Sequence, residues 1–472
     1  MSKPERLHPA AVLENLIKHI SALVQFLIGS SVVIATSPLS TEWIIAIGLA
    51  GLGLYIVFAF LSWLRFHYVI YNDELRIEQG VFSRHKTYIP LERIQSIQLS
   101  AGIVQRIFGL VKLEVQTAGS NRQAEASLSA ITKAQAQELQ ARLRITADKD
   151  FTADITPDAN LEKKLNTRDL LIAATTSNGI GVVLLGGIAL LSQVNQYIPD
   201  EDIYTRLGKY LISYAGDGIF TYVAGVFIIL LLAWLLSIIG TIINIGGFSI
   251  TRYEDRLMVQ RGLIEKRQIS IPRKRIQAVK IVAGILRQPF GLATIQVVSA
   301  GYGDKSSTAT LVFPLLSQKE VTNFLQTFLP EFELEDFYNP LAKAAQNRYR
   351  MILAIPALLM VLPLIIFLKY GFLSLLLPLG AYLWGLKQYR DAGWQITGEQ
   401  LSVRFRIFGL NTFLVKRAKV QSIELQQNPL QKRRALKNLA IMIASSVGGT
   451  KISLKGIEAE DGDKIMAWVN RK

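Results

Sequence analysis

The side chains with the clearest potential for chemistry in this sequence are arginines and lysines, which recur in two kinds of cluster. One follows an Ile-Pro-x-x-Arg-Ile-Gln pattern, and the other immediately precedes a phenylalanine. Lysine and arginine side chains near an anionic membrane leaflet contribute about 1 kcal/mol each to binding. The pattern therefore predicts a surface for lipid headgroups or for an interface with another protein. Its candidate residues are Arg93, Gln95, Arg106, Phe108, Arg273, Lys274, Arg275, Gln277, Arg287, Phe290, Lys416, Arg417 and Lys419.

A purely structural interpretation of the same residues stays open at this point. Ile94 and Ile97 could belong to a core, with Gln95 bonding the backbone of a turn and the neighbouring cations in solvent. Phe108 and Phe290 could fill the end of a small domain rather than face a membrane. Either interpretation places both clusters in repeated structural units.

Composition gives little support to an enzyme. The chain has no cysteine, so thiol chemistry and disulfides are excluded. Its four histidines lack metal-ligand spacing, and no P-loop or nucleophile motif is present. We expect no catalytic residues, metal or cofactor. A net charge of +16 suits an anionic partner, but no nucleic-acid signature accompanies it. A lipid surface or an acidic protein is the expected partner.

The clusters lie in a segment that occurs three times. Ile271–Gly301 matches Ile89–Gly119, 182 residues earlier, at the Pro-x-x-Arg-Ile-Gln, Phe-Gly-Leu and Ala-Gly positions. A third copy, Val415–Gly449, is more divergent and has Arg434-Ala435-Leu436 in place of Phe-Gly-Leu. Self-similarity of this length indicates one structural unit used three times.

Apolar runs separate the three copies. About 20 apolar residues cross a bilayer as a helix, and we count six such runs, which form three hairpins. Arginines and lysines concentrate on one side of these runs, which predicts that both termini and all three repeats lie in the cytoplasm of a multi-pass inner-membrane protein. The polar stretch Thr175–Gly179 is expected to pack against another helix, with Ser177 and Gly181 allowing a close approach. The runs are Ile20–Thr36, Trp43–Leu64, Leu170–Val194, Ile219–Ile245, Met351–Leu368 and Phe372–Leu386.

After each hairpin the periodicity changes to the alternation of half-buried strands. Each unit then ends in an amphipathic helix. Capping boxes at Thr132–Gln135 and Ser317–Glu320 mark the first two of these helices, and the third is predicted at Asp463–Arg471. Several short strands closed by one helix describe a small plugged barrel.

These residues resemble those of the YdbT-like membrane proteins, whose soluble parts belong to the second bacterial pleckstrin-homology (PH) family. The resemblance implies a membrane α-helical plus α+β protein, with three repeats of a transmembrane hairpin and a cytoplasmic PH-like split β-barrel of about seven strands with a C-terminal helix. It implies no catalytic residue and no known ligand. The expected segments are an N-terminal segment 1–19; hairpins 20–64, 168–245 (outer loop 193–218) and 351–386; PH-like domains 65–147, 246–330 and 387–472, the last divergent; and linkers 148–167 and 331–350.

The expected function is a non-catalytic scaffold whose PH-like domains self-associate and bind lipid or protein partners at the membrane surface. The alternative is a transport or export accessory that protects the envelope against membrane-active peptides through the acidic outer loop Asp200–Asp217. An enzyme acting on lipids would need a carboxylate or histidine facing a cavity, to which the sequence does not point.

Overall fold

The structure is a computed structural model of the whole chain. It describes residues 4–18, 41–117, 126–139, 161–177, 179–197, 219–300, 309–367, 371–445 and 448–470. The apolar run 20–36, most of the outer loop 193–218 and most of the linker 148–167 lie outside these residues.

The chain divides into two compact units. The first consists of Met1–Ile155, Lys164–Ser249 and Gln260–Ser270, and the second of Thr156–Lys163, Ile250–Val259 and Ile271–Lys472.

The first repeat consists of an apolar helix, two three-stranded sheets and a closing helix. Its elements are α1 (Ala10–Lys18), α2 (Thr41–Leu64), β1 (His67–Tyr71), β2 (Glu74–Gln79), β3 (His85–Pro90), β4 (Ile94–Ala101), α3 (Ile103–Ile107), β5 (Leu110–Thr117), β6 (Ala126–Thr132) and α4 (133–139). One sheet has the order β1-β2-β3. In the other, β4 pairs with β5 and β5 with β6, all antiparallel.

Alternation of apolar and polar residues along these strands produces one continuous core. Leu75, Ile89, Leu113 and Leu128 are fully buried in it and come from both sheets. The β1–β2 turn places Asn72 and Asp73 at φ of 50° and 57°, as a two-residue hairpin requires. The two sheets thus share one hydrophobic core.

The second repeat follows the same order of elements. They are β7 (Glu162–Lys164), α5 (Thr167–Thr175), α6 (Ile180–Tyr197), α7 (Ile219–Ile245), β8 (Ser249–Arg252), β9 (Arg256–Arg261), β10 (Lys266–Pro272), β11 (Ile276–Ala283), β12 (Leu292–Ser299), β13 (Thr310–Ser317) and α8 (Gln318–Phe328). Its residues contribute to both compact units.

The third repeat is complete within the second unit. Its elements are β14 (Asn339–Pro340), α9 (Gln346–Phe367), α10 (Leu376–Asp391), β15 (Gly393–Thr397), β16 (Gln400–Arg406), β17 (Leu410–Lys416), β18 (Val420–Gln426), α11 (Pro429–Lys432), β19 (Leu436–Ile443), β20 (Thr450–Glu458) and α12 (Ala459–Asn470). Ile465 and Trp468 of the closing helix are buried in the core. This helix begins four residues before its predicted start.

In each repeat, a short segment before the membrane hairpin pairs with the first strand after it. Glu5 and Tyr68 form an antiparallel bridge in the first repeat. In the second, Leu165 N donates to the Phe248 carbonyl at 3.0 Å. In the third, β14 pairs with β15. A seventh strand-like segment therefore joins the first sheet of each repeat and connects the chain before the apolar helices to the chain after them.

Consecutive repeats also share sheets. Within the first unit, β10 pairs antiparallel with β4. Within the second unit, β11 pairs antiparallel with β17 and so joins two repeats in one seven-stranded sheet, of order β13-β12-β11-β17-β16-β15-β14. The fourth strand of one repeat therefore lies beside the third strand of the next.

Two helices among the described residues are long and apolar enough to cross a membrane, Val223–Ile245 and Lys343–Ile366. A shorter apolar helical stretch is Leu49–Leu64. The predicted run Leu170–Val194 is divided between α5 and α6. The run Phe372–Leu386 begins as a 3-10 helix, Gly371–Leu375, before α10. The count of six spans therefore stays a prediction.

The break between α5 and α6 is a packing site, as predicted for the polar stretch. Ser177 Oγ lies 3.3 Å from Ser237 Oγ of α7, and Thr241 Oγ1 donates to Ser177 Oγ at 3.2 Å. The close approach is made by Gly179 rather than by the predicted Gly181. A Cβ at Gly179 would lie 2.3 Å from Ser237 Oγ, whereas one at Gly181 would meet nothing within 4 Å.

The two predicted capping boxes have different outcomes. In the first, Gln135 N donates to Thr132 Oγ1 at 3.2 Å, and Thr132 N donates to Gln135 Oε1 at 3.0 Å. The second does not form, because Ser317 makes no side-chain cap bond. Glu320 instead accepts a bond from Lys163 Nζ at 3.3 Å. A competing ion pair thus replaces the reciprocal cap.

Candidate membrane-facing site

A turn between the second and third strands of each repeat carries exposed apolar side chains. We call these the apolar turns; they comprise residues 81–83, 263–265 and 407–409. Phe82 is 93% exposed in the first turn and Phe408 is 72% exposed in the third. Leu263 and Ile264 are exposed in the second. Exposed apolar residues that recur at one position indicate a surface that contacts an apolar environment.

In all three repeats, the apolar turn lies against the apolar helix that precedes the barrel. The Phe82 ring stacks on Phe58 of α2, with centroids 6.0 Å apart. Leu263 N donates to the Ile243 carbonyl of α7 at 2.9 Å. The Ile407 carbonyl accepts a bond from Trp384 Nε1 of α10 at 3.1 Å. Each turn is therefore held against the C-terminal part of the apolar helix that precedes it.

A second exposed apolar patch lies between the fourth and fifth strands. Phe108 is 48% exposed and Phe290 is 71% exposed, so neither ring fills the end of its barrel. Ile107 is exposed beside Phe108. Between the two interpretations left open by the sequence, this placement favours the surface one.

A basic cavity lies beside the apolar turn of the second repeat, within the first unit. Its volume is about 460 Å³, and it opens between β4, α4 and the β9–β10 turn. Among the described residues that line it, none is a carboxylate. Gly247, which also lines it, lies two residues after the end of α7. The cationic residues of the lining are Arg106, Lys133, Arg261, Lys266 and Arg267.

The cationic side chains of the cavity differ in how strongly they are held. Arg106 Nη1 donates to the Leu263 carbonyl at 2.6 Å, which ties it to the apolar turn. Arg267 forms an ion pair with Glu265 at 3.1 Å. Lys133 and Lys266 are exposed. Five cations around a concave surface create a positive potential that attracts an anion.

The Arg-Ile-Gln element is placed elsewhere and is structural. It forms a 3-10 turn between the third and fourth strands, at Leu91–Arg93, Arg273–Arg275 and Arg417–Lys419. Most of its polar side chains bond within the same unit, whereas Arg93 and Lys274 are exposed. The side chain of Gln95 lies outside the described residues. The bonded pairs are Arg273 with the Glu254 carbonyl at 3.0 Å, Gln277 with the Arg275 carbonyl at 2.9 Å, Lys419 with the Lys274 carbonyl at 2.8 Å, and Arg417 with Glu399 at 2.9 Å.

Two more candidates occupy positions away from any open anion site. Arg287 is buried, and its Nη1 donates to the Pro314 carbonyl at 2.8 Å and also contacts Thr294 Oγ1. Burial lowers the pKa of its guanidinium. The Lys416 ammonium lies 5.8 Å from the centroid of the Phe332 ring. Arg287 therefore bonds within the interior of its domain, like Gln105, which occupies the equivalent position of the first repeat and is also buried.

The architecture corresponds to a known domain family. The profile of the bacterial PH domain matches residues 21–145, 170–331 and 352–472, each of which spans a hairpin region and its barrel. The chain belongs to the bacterial PH-domain family. It is also 34% identical, over 490 residues, to the UPF0699 transmembrane protein YdbT of Bacillus subtilis (strain 168). That match covers 99% of this chain and 98% of its relative. The chain is thus a membrane protein with three bacterial PH domains.

Two features of this candidate site were not predicted from the sequence. The apolar turns were missed because one or two apolar residues in a turn carry no periodic signal. The cavity lysines Lys133 and Lys266 were missed because they come from different repeats. The signal that could have found the turns is their recurrence before the third strand of each repeat in this chain. Among the described residues, no three histidine, aspartate or glutamate side chains gather as a metal site would.

Proposed function

We propose that this protein is a non-catalytic scaffold of the bacterial inner membrane, which binds anionic lipid headgroups through its PH domains and assembles there. The observation that supports it best is the basic cavity at the end of α7, where five cationic side chains surround a concavity and the described lining residues include no carboxylate. In this proposal the chain crosses the membrane several times, and its termini and PH domains lie in the cytoplasm.

The apolar turns support a position at the membrane surface. Because each turn contacts the end of its own apolar helix, its exposed rings lie at the depth where that helix leaves the bilayer. Aromatic side chains favour this interface, and cations beside them reach the phosphate layer. The cavity would then receive a headgroup whose acyl chains stay in the bilayer.

The test compares two double variants of the full-length protein in detergent. Lys133→Gln with Lys266→Gln removes two exposed cations from the cavity. Lys319→Gln with Lys455→Gln removes two exposed cations that do not line it. Native mass spectrometry counts bound phosphatidylglycerol and phosphatidylcholine. At about 1 kcal/mol per cation, the cavity variant is expected to bind phosphatidylglycerol about 30-fold more weakly.

The controls separate a built site from general attraction. The matched variant is expected to keep its affinity within about threefold, since exposed charges that do not line the cavity are screened by salt, with a Debye length of about 8 Å. Phosphatidylcholine binding is expected to be unchanged in both variants. An equal loss of phosphatidylglycerol in the two variants, or no loss in either, would show that the cavity is not a headgroup site.

A further inference from the structure

The two junctions between consecutive repeats have the same register. In the first, Arg267 of β10 lies opposite Ser100 of β4. In the second, Asn411 of β17 lies opposite Val282 of β11. Ser100 and Val282 are 182 residues apart, which is the spacing of the first and second repeats, and Arg267 and Asn411 are 144 apart, the spacing of the second and third. One edge-to-edge contact is therefore used twice, within different compact units.

Each junction uses the fourth strand of one repeat and the third strand of the next. In a chain of three repeats this leaves two such strands over, β3 of the first repeat and β18 of the third. In the part of the chain that the structure describes, β3 pairs with β2 and β18 pairs with β19, and each lies at the edge of a three-stranded sheet. An unpaired edge offers a row of backbone donors and acceptors for strand addition.

Burial shows the effect of the missing neighbour. Ala278 of β11, which is paired with β17, is fully buried, and Val279 beside it is too. The equivalent positions of β18 are Ser422, which is exposed, and Ile423, which is only partly buried. β18 therefore corresponds in sequence to the strands β4 and β11 that form the junctions, but in the described residues no neighbouring strand covers its edge.

We propose that β18 of one copy of this chain pairs antiparallel with β3 of a second copy, in the register of the internal junctions. The inference rests on the scaffold role proposed above and specifies how the copies assemble. In that register, β18 takes the place that β11 has at the second junction, and β3 takes the place of β17. Gln426 then lies opposite His85, and Ile423 lies opposite Tyr88. An aromatic residue facing a β-branched one is a favourable cross-strand pair.

Charge on the two edges is compatible with this pairing. Arg84, His85 and Lys86 make the start of the β3 edge cationic, whereas β18 carries Glu424 and no cation. In the transposed register Glu424 lies opposite Thr87, between these cationic residues and the apolar pair. The two strands of the contact are different, so it is heterologous, and every added copy offers a new β18 or β3 edge. The expected assembly is a ring or a row of copies rather than a closed dimer.

Cysteine cross-linking tests the register directly, because the chain contains no cysteine. A full-length double variant, His85→Cys with Gln426→Cys, is oxidised in membranes and run on non-reducing gels. Paired strands hold opposite Cα atoms within the 4.4–6.8 Å that a disulfide requires. The expected result is a ladder of covalent multimers. The single variants His85→Cys and Gln426→Cys are each expected to give no cross-link alone and to give a disulfide-linked dimer when the two are mixed.

Two cysteine controls bracket this result. In the variant Val282→Cys with Asn411→Cys, the two cysteines lie opposite each other at an internal junction. Their disulfide is expected to form within one chain, so no multimer appears on the gel. His85→Cys with Gln421→Cys is displaced five residues along β18, roughly 17 Å, and is expected not to cross-link. The inference is overturned if the ladder is absent, if the displaced pair cross-links equally well, or if a single-cysteine variant dimerises alone.

Substitutions that change the charge of β18 and β3 test whether the cross-link depends on the proposed strand pairing. Glu424→Lys brings a further cation to the basic β3 edge and is expected to lower the yield of the ladder about fivefold. Adding Thr87→Glu is expected to restore it. Glu424→Lys is expected to leave phosphatidylglycerol binding unchanged, whereas the cavity variant Lys133→Gln with Lys266→Gln is expected to keep the ladder. Failure of the strand pairing and failure of lipid binding are therefore distinguishable.

Discussion

Replacement of Gly262 is expected to open the apolar turn of the second repeat, at the candidate membrane-facing site. Gly262 directly follows β9 with φ of +101°, and a Cβ there would lie 2.1 Å from the carbonyl oxygen of Glu265. Gly80 has the same arrangement in the first repeat, with φ of +112° and 2.0 Å to the Ser83 oxygen. Gly291 is the matched control, because its φ is +62° but nothing lies within 4 Å of its Cβ position.

The free-energy costs of the two alanine substitutions follow from this geometry. Gly291→Ala places an L-residue in the left-handed region, which costs about 1–2 kcal/mol. Gly262→Ala adds an overlap with a backbone oxygen that cannot rotate away. The turn can relieve it only by opening, which breaks the bonds from Gly262 N to the Gly246 carbonyl and from Leu263 N to the Ile243 carbonyl, both 2.9 Å. At about 1 kcal/mol for each bond, the total is about 3–4 kcal/mol.

Hydrogen exchange followed by mass spectrometry measures these costs locally. A loss of about 3–4 kcal/mol in Gly262→Ala is expected to speed amide exchange in the β9–β10 hairpin by two to three orders of magnitude. The corresponding increase at Gly291→Ala is about tenfold. Because the Leu263 carbonyl anchors Arg106 of the cavity, Gly262→Ala is also expected to weaken phosphatidylglycerol binding. Equal exchange rates in the two variants would refute the close approach.

Two further predictions concern the third and second repeats. Burial raises the pKa of the Tyr338 phenol to about 12, so the unfolded chain loses this proton at lower pH than the folded protein does. The folded protein is therefore expected to keep its stability below about pH 10 and to lose part of it between about pH 10 and pH 12. Pulse proteolysis at pH 9 and 11 is expected to show this loss in the wild type and about 1.4 kcal/mol less of it in Tyr338→Phe; identical losses would contradict it. Gly179→Ala places a Cβ against Ser237 Oγ, 2.3 Å away, and is expected to cost about 1–2 kcal/mol of helix packing in mixed-micelle unfolding. In a Ser237→Ala background that cost is expected to fall below about 0.5 kcal/mol, whereas an unchanged cost would exclude this contact.

The elements of each repeat were predictable because their signals are local. Alternation along Leu75–Glu78 or Leu401–Arg404 identifies a strand and the face that it buries. Asn72-Asp73 identifies a tight turn, and the closing helices follow from their amphipathic pattern. The divergent Arg434-Ala435-Leu436 keeps the backbone of its counterparts, since Ala435 has φ of 50° where Gly109 and Gly291 have 67° and 62°.

The neighbours of each strand were not predictable in the same way. A period of two shows which residues share a face but not which strand lies alongside, so neither the β4–β10 nor the β11–β17 junction follows from the pattern. Arg287 was misread for a different reason. Its charge predicted an exposed position, but at the 182-residue spacing it matches Gln105, and both side chains are buried and bonded to a backbone carbonyl.

The Arg-Ile-Gln turn has a role that the junctions explain. It sets where the third strand ends and the fourth begins, so it determines the spacing between the two edges that a repeat offers to its neighbours. In the second repeat both edges are covered, and Gln277 is buried with its side chain bonded to the Arg275 carbonyl. In the third repeat the proline and the Phe-Gly pair are replaced, yet Gln421-Ser422-Ile423 repeats Gln95-Ser96-Ile97 without change. In the described residues β18 lacks the neighbour that the equivalent strand β11 has in β17, which is why we expect a second copy to cover its edge.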